Sequence, residues 1–246
     1  KEPGIAYYPD RAQGDNKPLD YRQLLDASEG GTSQAQKIYD AGFRVIKIYL
    51  TPDDDLEAVG RIVEAVHQSK AHPLKTLLVY SPHVMGLFGA APGERARKID
   101  ALAQMTAKRP WIQVQLGNED NYYRTGQKLG AGDGIEIDRQ AYFGLMDQMA
   151  GQLKTALKQH GSADRPVLLG HGFDPFAPDA DADLKLIAGM KNIDALAANL
   201  YLSHPALYSA VLKHLSAELP KLPVVVGEFG ASRLNSDVEA QTGFNA

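Results

Sequence analysis

Seven short apolar runs alternate with stretches of helical periodicity along this chain, and that alternation limits the folds open to it. The runs are rich in Val, Ile and Leu and are bounded by Gly and Pro, which is typical of the central strands of a parallel sheet. We predict strands at residues 4–8, 43–50, 74–81, 111–118, 166–171, 193–201 and 222–230. This succession of β/α units predicts an α/β fold, a (β/α)8 barrel forming a single domain over residues 1–246.

Helical patterns fill the intervals between these strands. Thr32 is predicted to cap a first helix that stops at Gly42, and the carboxylates of residues 53–55 precede a second apolar stripe. Further helices are predicted at residues 93–108, 139–160, 181–190 and 205–218. An eighth strand is not identified. Ser236 and Glu239 form a capping box, and the chain ends where that helix would continue, so we expect a truncated barrel or one completed by another segment.

Composition excludes several classes of function. The net charge is −4 and no basic run occurs, so the chain lacks the electrostatic footprint of a nucleic-acid-binding protein. It contains no cysteine, which excludes disulfides, thiolate metal sites and a cysteine nucleophile. No apolar stretch approaches the roughly 20 residues that span a bilayer. A neutral or weakly charged partner fits this composition best.

Two glutamates stand at the ends of apolar runs. Glu119 follows the fourth run, and Glu228 ends the seventh. The carboxyl ends of parallel strands meet on one rim, which is where α/β proteins carry their catalytic residues. Two carboxylates on one rim are the minimum set of groups needed to cleave a glycosidic bond, one as proton donor and the other as nucleophile or base. The pair therefore predicts a glycosidase.

Strand alternation gives both glutamates a direction. Successive side chains of a strand point to opposite faces, so Gln113, Gln115 and Glu119 fall on one face, opposite the apolar residues of the same run. In the seventh run Val226 and Glu228 share a face. We expect both carboxylates to point into the mouth of the barrel.

The residues around the two glutamates resemble the clan A glycoside hydrolases, retaining enzymes built on a (β/α)8 barrel, and the resemblance spans nearly the whole chain. It implies that Glu119 is the acid/base and Glu228 the nucleophile, with Asn118, Asn199 and Tyr201 binding substrate. The sequences Gly-Asn-Glu, Asn-Leu-Tyr and Gly-Glu-Phe-Gly at these positions are most similar to β-glucanases and β-glucanosyltransferases of families 17 and 72, with families 5 and 39 next.

The resemblance implies a β-linked oligosaccharide or polysaccharide as substrate, with β-glucan favoured, and no cofactor or metal. Retaining enzymes place their two carboxyl groups about 5 to 5.5 Å apart and transfer the sugar either to water or to another sugar. The choice between hydrolysis and transglycosylation stays open. A polysaccharide substrate also implies a secreted or periplasmic protein.

Two departures from the clan pattern concern the surroundings of the nucleophile. Many clan members carry an Arg on the second strand, where this chain has Lys47, with Tyr49 two residues later. Lys lacks the bidentate fork of Arg, so either the point charge of Lys47 suffices or nearby Arg44 contributes in another way. The aromatic platform that clan members carry on the eighth strand has no counterpart here. We expect Lys47 and Tyr49 to belong to the substrate site.

Several residues after the strands are further candidates for substrate contact. Tyr8 ends the first strand and Tyr122 follows Glu119, and aromatic rings of this kind stack on sugar faces. His171 and His204 follow the fifth and sixth strands and could hydrogen-bond to hydroxyl groups.

Other readings of the same residues remain open. With His83 after the third strand, the rim histidines raise the alternative of a metal-dependent hydrolase, although their spacing matches no compact ligand motif. A barrel that binds polysaccharide without cleaving it is a second alternative. The two glutamates could also belong to a structural salt-bridge network with Lys47 or Arg44.

Overall fold

The computed structural model describes residues 2–7, 21–26, 32–120, 137–202 and 204–230. All seven predicted strands are confirmed with small shifts of their ends: β1 (Gly4–Tyr7), β2 (Val45–Tyr49), β3 (Lys75–Tyr80), β4 (Ile112–Leu116), β5 (Val167–Gly172), β6 (Ala195–Tyr201) and β7 (Val224–Gly230). The helices are α1 (Gln34–Asp40), α2 (Leu56–Gln68), α3 (Pro92–Ala107), α4 (Arg139–Gln159), α5 (Ala180–Ala188) and α6 (Leu207–Glu218). None of these described helices is both long and apolar enough to cross a membrane.

The strands follow one another through a single seven-stranded sheet in chain order. β1 pairs in parallel with β2, and β2 with β3; β5 pairs in parallel with β6, and β6 with β7. Sequential parallel strands joined by helices define the (β/α)8 class, which confirms the predicted fold class. The described residues contain no eighth strand, and the capping box predicted at Ser236 and Glu239 lies outside them.

The chain divides into two compact units. Unit 1 comprises Lys1–Val114 and Gln152–Arg165, and unit 2 comprises Gln115–Gly151 and Pro166–Ala246. Each has apolar side chains without solvent exposure. Those of unit 1 include Ile46, Ile48, Val63, Leu78 and Leu102. Those of unit 2 include Met146, Leu169, Leu184, Leu196 and Leu200. The prediction of one domain over the whole chain stays a prediction.

The first two helices begin at short polar side chains that accept hydrogen bonds from backbone N–H groups. The prediction that Thr32 caps α1 is wrong by one residue, because Ser33 has the extended backbone of a cap and its Oγ accepts from the Gln36 N–H at 3.2 Å. Asp55 caps α2 through Oδ1, which accepts from the N–H groups of Glu57 at 3.0 Å and Ala58 at 3.1 Å. These bonds satisfy donors that the helix itself cannot.

Replacing Asp55 by Ala is expected to lower the free energy of unfolding by about 1 kcal/mol, because the two N–H groups lose their acceptor. Urea unfolding followed by circular dichroism measures the change. The control is Asp53→Ala, which removes an equal charge from an exposed neighbour and should change stability by less than about 0.5 kcal/mol. Equal losses in both variants would mean that negative charge near the helix N-terminus, and not the cap, stabilises α2.

Candidate active site

Glu119 lies in a turn immediately after β4. The predicted alternation of side chains does not reach it, because β4 ends at Leu116 and Gly117 has a left-handed φ of 79°. Gly117 is also closely surrounded, since a Cβ there would lie 2.8 Å from Cε of Met146 and 3.1 Å from the carbonyl oxygen of Gly170. Only glycine combines this φ with this approach at little cost. The direction of Glu119 is therefore set by the turn and not by strand parity.

Asn118 is held by three polar side chains of unit 2. Its Oδ1 accepts a hydrogen bond from Nδ2 of Asn199 at 3.0 Å and a longer one from Nε2 of Gln115 at 3.4 Å. Its backbone N–H donates to Oδ2 of Asp120 at 3.2 Å. Asn199, Gln115 and Asp120 are all buried. The residue that precedes Glu119 is thus fixed through both its side chain and its backbone.

Glu228 follows an irregularity in β7. Val226 pairs with Ala198 of β6 and Glu228 pairs with Asn199, so Gly227 is an extra residue without a counterpart. A bulge of this kind interrupts the side-chain alternation, and the predicted shared face of Val226 and Glu228 cannot be read from spacing alone. A Cβ on Gly227 would lie 2.6 Å from Oδ1 of Asn199, which explains why glycine occupies the bulge.

Tyr201, the last residue of β6, donates a hydrogen bond from its hydroxyl to Oε2 of Glu228. Its side chain is 44% exposed, so the ring faces solvent beside the carboxylate. The following residue on β7, Phe229, is also exposed and meets Tyr208 of α6 edge to face, with ring centroids 6.4 Å apart. The carboxyl ends of β6 and β7 therefore present a carboxylate and a phenol together, whereas the neighbouring Phe229 ring packs towards α6.

The two predicted rim histidines of unit 2 have different surroundings. His171 on β5 is buried, with Nε2 at 3.6 Å from Oδ2 of Asp183, whose other oxygen is 2.8 Å from Nε of Arg139. His204 is exposed, and its Nδ1 accepts from the N–H of Ala206 at 3.1 Å. That bond belongs to the turn before α6. Substrate contact by either histidine stays a prediction.

His83, the third histidine of the metal-dependent alternative, is buried in unit 1, and burial lowers the pKa of its imidazole. Across the residues that the structure describes, no three His, Asp or Glu side chains form a group that could hold a metal ion. The metal-dependent alternative has no support in that part of the chain.

Lys47 and Tyr49 lie on β2 of unit 1. Lys47 is only 4% exposed, and its Nζ lies 5.2 Å from the centre of the Tyr49 ring. Arg44 precedes β2, at the amino end of that strand, and its guanidinium stacks on Tyr39 at 3.8 Å while donating to the backbone carbonyls of Tyr39 and Phe43. Arg44 therefore serves the start of β2, whereas catalytic residues are expected after the carboxyl ends of strands.

Two predicted aromatic contacts, Tyr8 and Tyr122, lie outside the described residues. Two residues of the site were not predicted to belong to it, namely Gln115 and Asp120. Asp120 had no recognisable signal, because its Oδ2 accepts from the N–H of Asn118, two residues before it, whereas the common Asx turn joins the side chain to the N–H two residues further on. Gln115 had the signal of strand alternation, which predicted it on the same face as Gln113 and Glu119, but that pattern gave it no role.

Comparison with known proteins supports the fold. No family model and no curated protein matches the chain. A calcium-binding mutant of Bacteroides uniformis β-glucuronidase 2 is similar over 100% of this chain and 28% of its own, with a TM-score of 0.63 and 16% identity. A GH5-4 endoglucanase from Clostridium longisporum is similar over 98% and 79%, with a TM-score of 0.55 and 14% identity. A GH39 β-xylosidase from Caulobacter crescentus is similar over 94% and 53%, with a TM-score of 0.53 and 15% identity.

These solved structures are glycoside hydrolases, and at such identities the similarity is one of fold. The chain spans 28% of the β-glucuronidase and 53% of the β-xylosidase, so it corresponds to part of each. Families 5 and 39, which the sequence resembles, are represented among them. The finer resemblance to families 17 and 72 stays a prediction.

Proposed function

We propose that this protein is a retaining glycoside hydrolase or transglycosylase acting on a β-linked polysaccharide, with Glu119 as acid/base and Glu228 as nucleophile. The main support for the proposal is the pair of contacts that Asn199 makes. Its side chain donates to Asn118, the neighbour of Glu119, and its backbone position pairs with Glu228. A single buried residue therefore links the two segments that carry the carboxylates, which supports their acting on one bond.

The proposed reaction is a double displacement. Protonated Glu119 donates its proton to the departing glycosidic oxygen while ionised Glu228 attacks the anomeric carbon, forming a covalent glycosyl ester. Glu119, now ionised, then removes a proton from the acceptor, which displaces Glu228 with overall retention of configuration. Water as acceptor gives hydrolysis, and a sugar hydroxyl gives transfer.

The neighbouring polar groups suit these roles. The hydroxyl of Tyr201 donates to Glu228, which favours the ionised form that a nucleophile needs. The Oδ1 of Asn118 accepts from Asn199 and Gln115, so these two side chains fix the orientation of the amide that directly precedes Glu119 in the chain. The exposed ring of Tyr201 offers an apolar face beside the nucleophile.

The substrate class rests on the sequence resemblance and on the names of the similar structures, which include a β-glucuronidase, an endoglucanase and a β-xylosidase. A β-glucan is the favoured polymer within that class. Action on a polymer outside the cell would require a secreted or periplasmic protein, which belongs to the same proposal.

The decisive experiment is product analysis after incubation with a panel of β-glucan oligosaccharides labelled at the reducing end. Shorter labelled chains would establish hydrolysis, and longer ones transfer; NMR of the first products should show the retained anomeric configuration. Unchanged activity in the presence of a chelator is expected. Binding without any change in chain length would identify a non-catalytic polysaccharide-binding protein, and inverted products would remove Glu228 from the nucleophile role.

A further inference from the structure

Gln115 is a buried amide at the end of β4 to which neither the proposed reaction nor the resemblance gives a role. Its side chain has no solvent exposure, although glutamine is seldom fully buried. Its Nε2 donates to the carbonyl oxygen of Gly117 at 2.9 Å and reaches Oδ1 of Asn118 at 3.4 Å. Both acceptors belong to the turn that leads directly to Glu119.

The amide has little freedom to move. A Cβ added to Gly170 of β5 would lie 2.3 Å from Nε2 of Gln115 and 2.2 Å from the carbonyl oxygen of Gly117. The bare backbone of Gly170 is therefore packed directly against the donor and its acceptor. These contacts restrict the Gln115 side chain on the side of β5, and the hydrogen bond from Nε2 joins the Gly117 carbonyl to it.

A core position alone would not call for this residue. Val114 and Leu116, the strand neighbours of Gln115, are buried and apolar, and an apolar side chain of similar length would fill the same space without the cost of burying an amide. The buried amide of Gln115 has a purpose only if the protein needs its two acceptors, the Gly117 carbonyl oxygen and Asn118 Oδ1, in fixed positions. Its two donors fix the left-handed turn at Gly117 and the side chain of Asn118 together.

We propose that Gln115 is a positioning residue for Glu119, acting through the Gly117 carbonyl and Asn118 to hold the acid/base carboxyl where it donates its proton. This inference rests on the proposed function. Gln115 itself touches no reacting atom. Its loss should therefore impair the step that needs a proton and spare a step that does not.

The test is Gln115→Met, which keeps the length of the side chain and removes the donor, with Gln113→Met, an exposed position on the same strand, as the matched control. Each protein is assayed on a β-linked oligosaccharide and on the corresponding dinitrophenyl β-glycoside, whose leaving group departs without protonation. For Gln115→Met we expect kcat/KM to fall about 10 to 100-fold on the oligosaccharide and less than about threefold on the aryl glycoside. Gln113→Met should match the wild type on both.

Equal losses on the two substrates, or no loss on the oligosaccharide, would overturn the inference and leave the proposed function intact. If Gln115→Met does not fold, Gln115→Asn, which keeps the amide but draws it back by one methylene, must show the same dependence on the leaving group. A wild-type protein that cleaves neither substrate would overturn the proposed function, and the inference with it.

Discussion

Replacing Glu228 by Gln is expected to lower kcat by at least about 10⁴-fold, on activated and natural substrates alike, while the protein stays folded. An amide of the same shape cannot form the glycosyl ester, and removal of a covalent nucleophile has effects of this order in other enzymes. The fold should tolerate the change, because Gln still offers an oxygen to the Tyr201 hydroxyl and Glu228 is only half-buried. The expected change in the free energy of unfolding is below about 1 kcal/mol.

Kinetics and urea unfolding on the same samples measure both quantities. Glu94→Gln is the matched control, since it removes the same charge from another half-buried glutamate, which lies on α3 and pairs with Lys98 at 3.2 Å, and it should leave kcat unchanged. Tyr201→Phe removes the hydroxyl that donates to Glu228 and should cost about 10 to 100-fold in kcat. Should activity fall only in proportion to stability, Glu228 would be a structural residue, as the salt-bridge alternative requires.

Much of the fold follows from local patterns. The seven apolar runs identified all seven strands. Burial on both faces explains the apolar run of a strand such as β5, which is buried throughout, but not that of β7, where Val225 and Val226 are 42% and 40% exposed. The carboxylates of residues 53–55 likewise marked the start of α2, where Asp55 caps two N–H groups. The predicted N-cap of α1 was wrong by one residue, because Thr32 and Ser33 both carry a hydroxyl and only the backbone conformation shows that Ser33 is the cap.

The direction of the two glutamates could not be predicted in the same way. Strand parity assumed regular strands as far as Glu119 and Glu228, whereas a left-handed Gly117 precedes one and a bulge at Gly227 precedes the other. Both glycines were visible in the sequence, directly before Asn118 and Glu228. The reasons for them were not, because Gly227 makes room for Asn199 and Gly117 for Met146, which lie far away along the chain. A local pattern has no information about such contacts.

Replacing Gly170 by Ala is expected to destabilise the protein by about 3 kcal/mol and to lower activity by about 100-fold. The backbone of Gly170 has no left-handed φ, so the substitution adds no conformational strain of its own. The new methyl group would instead lie 2.2 Å from the Gly117 carbonyl oxygen and 2.7 Å from its carbonyl carbon. Backbone atoms cannot swing aside as a flexible side chain does, so the turn that carries Glu119 must move.

Gly144→Ala is the matched control for this variant, because it adds the same methyl group within α4 and meets nothing within 4 Å. Alanine has a higher helix propensity than glycine, so the free energy of unfolding of this variant should rise by about 0.5 to 1 kcal/mol, and its activity should be unchanged. Urea unfolding and kcat on an oligosaccharide compare the pair. A stable but inactive Gly170→Ala would mean that only the Gly117 turn shifts to accommodate the methyl group. Gly170 would then be needed for the position of Glu119 and not for the stability of the fold. A stable and fully active Gly170→Ala would contradict the close contact between β5 and the Gly117 turn. It would also contradict the proposed restraint of Gln115 and Glu119 by that contact.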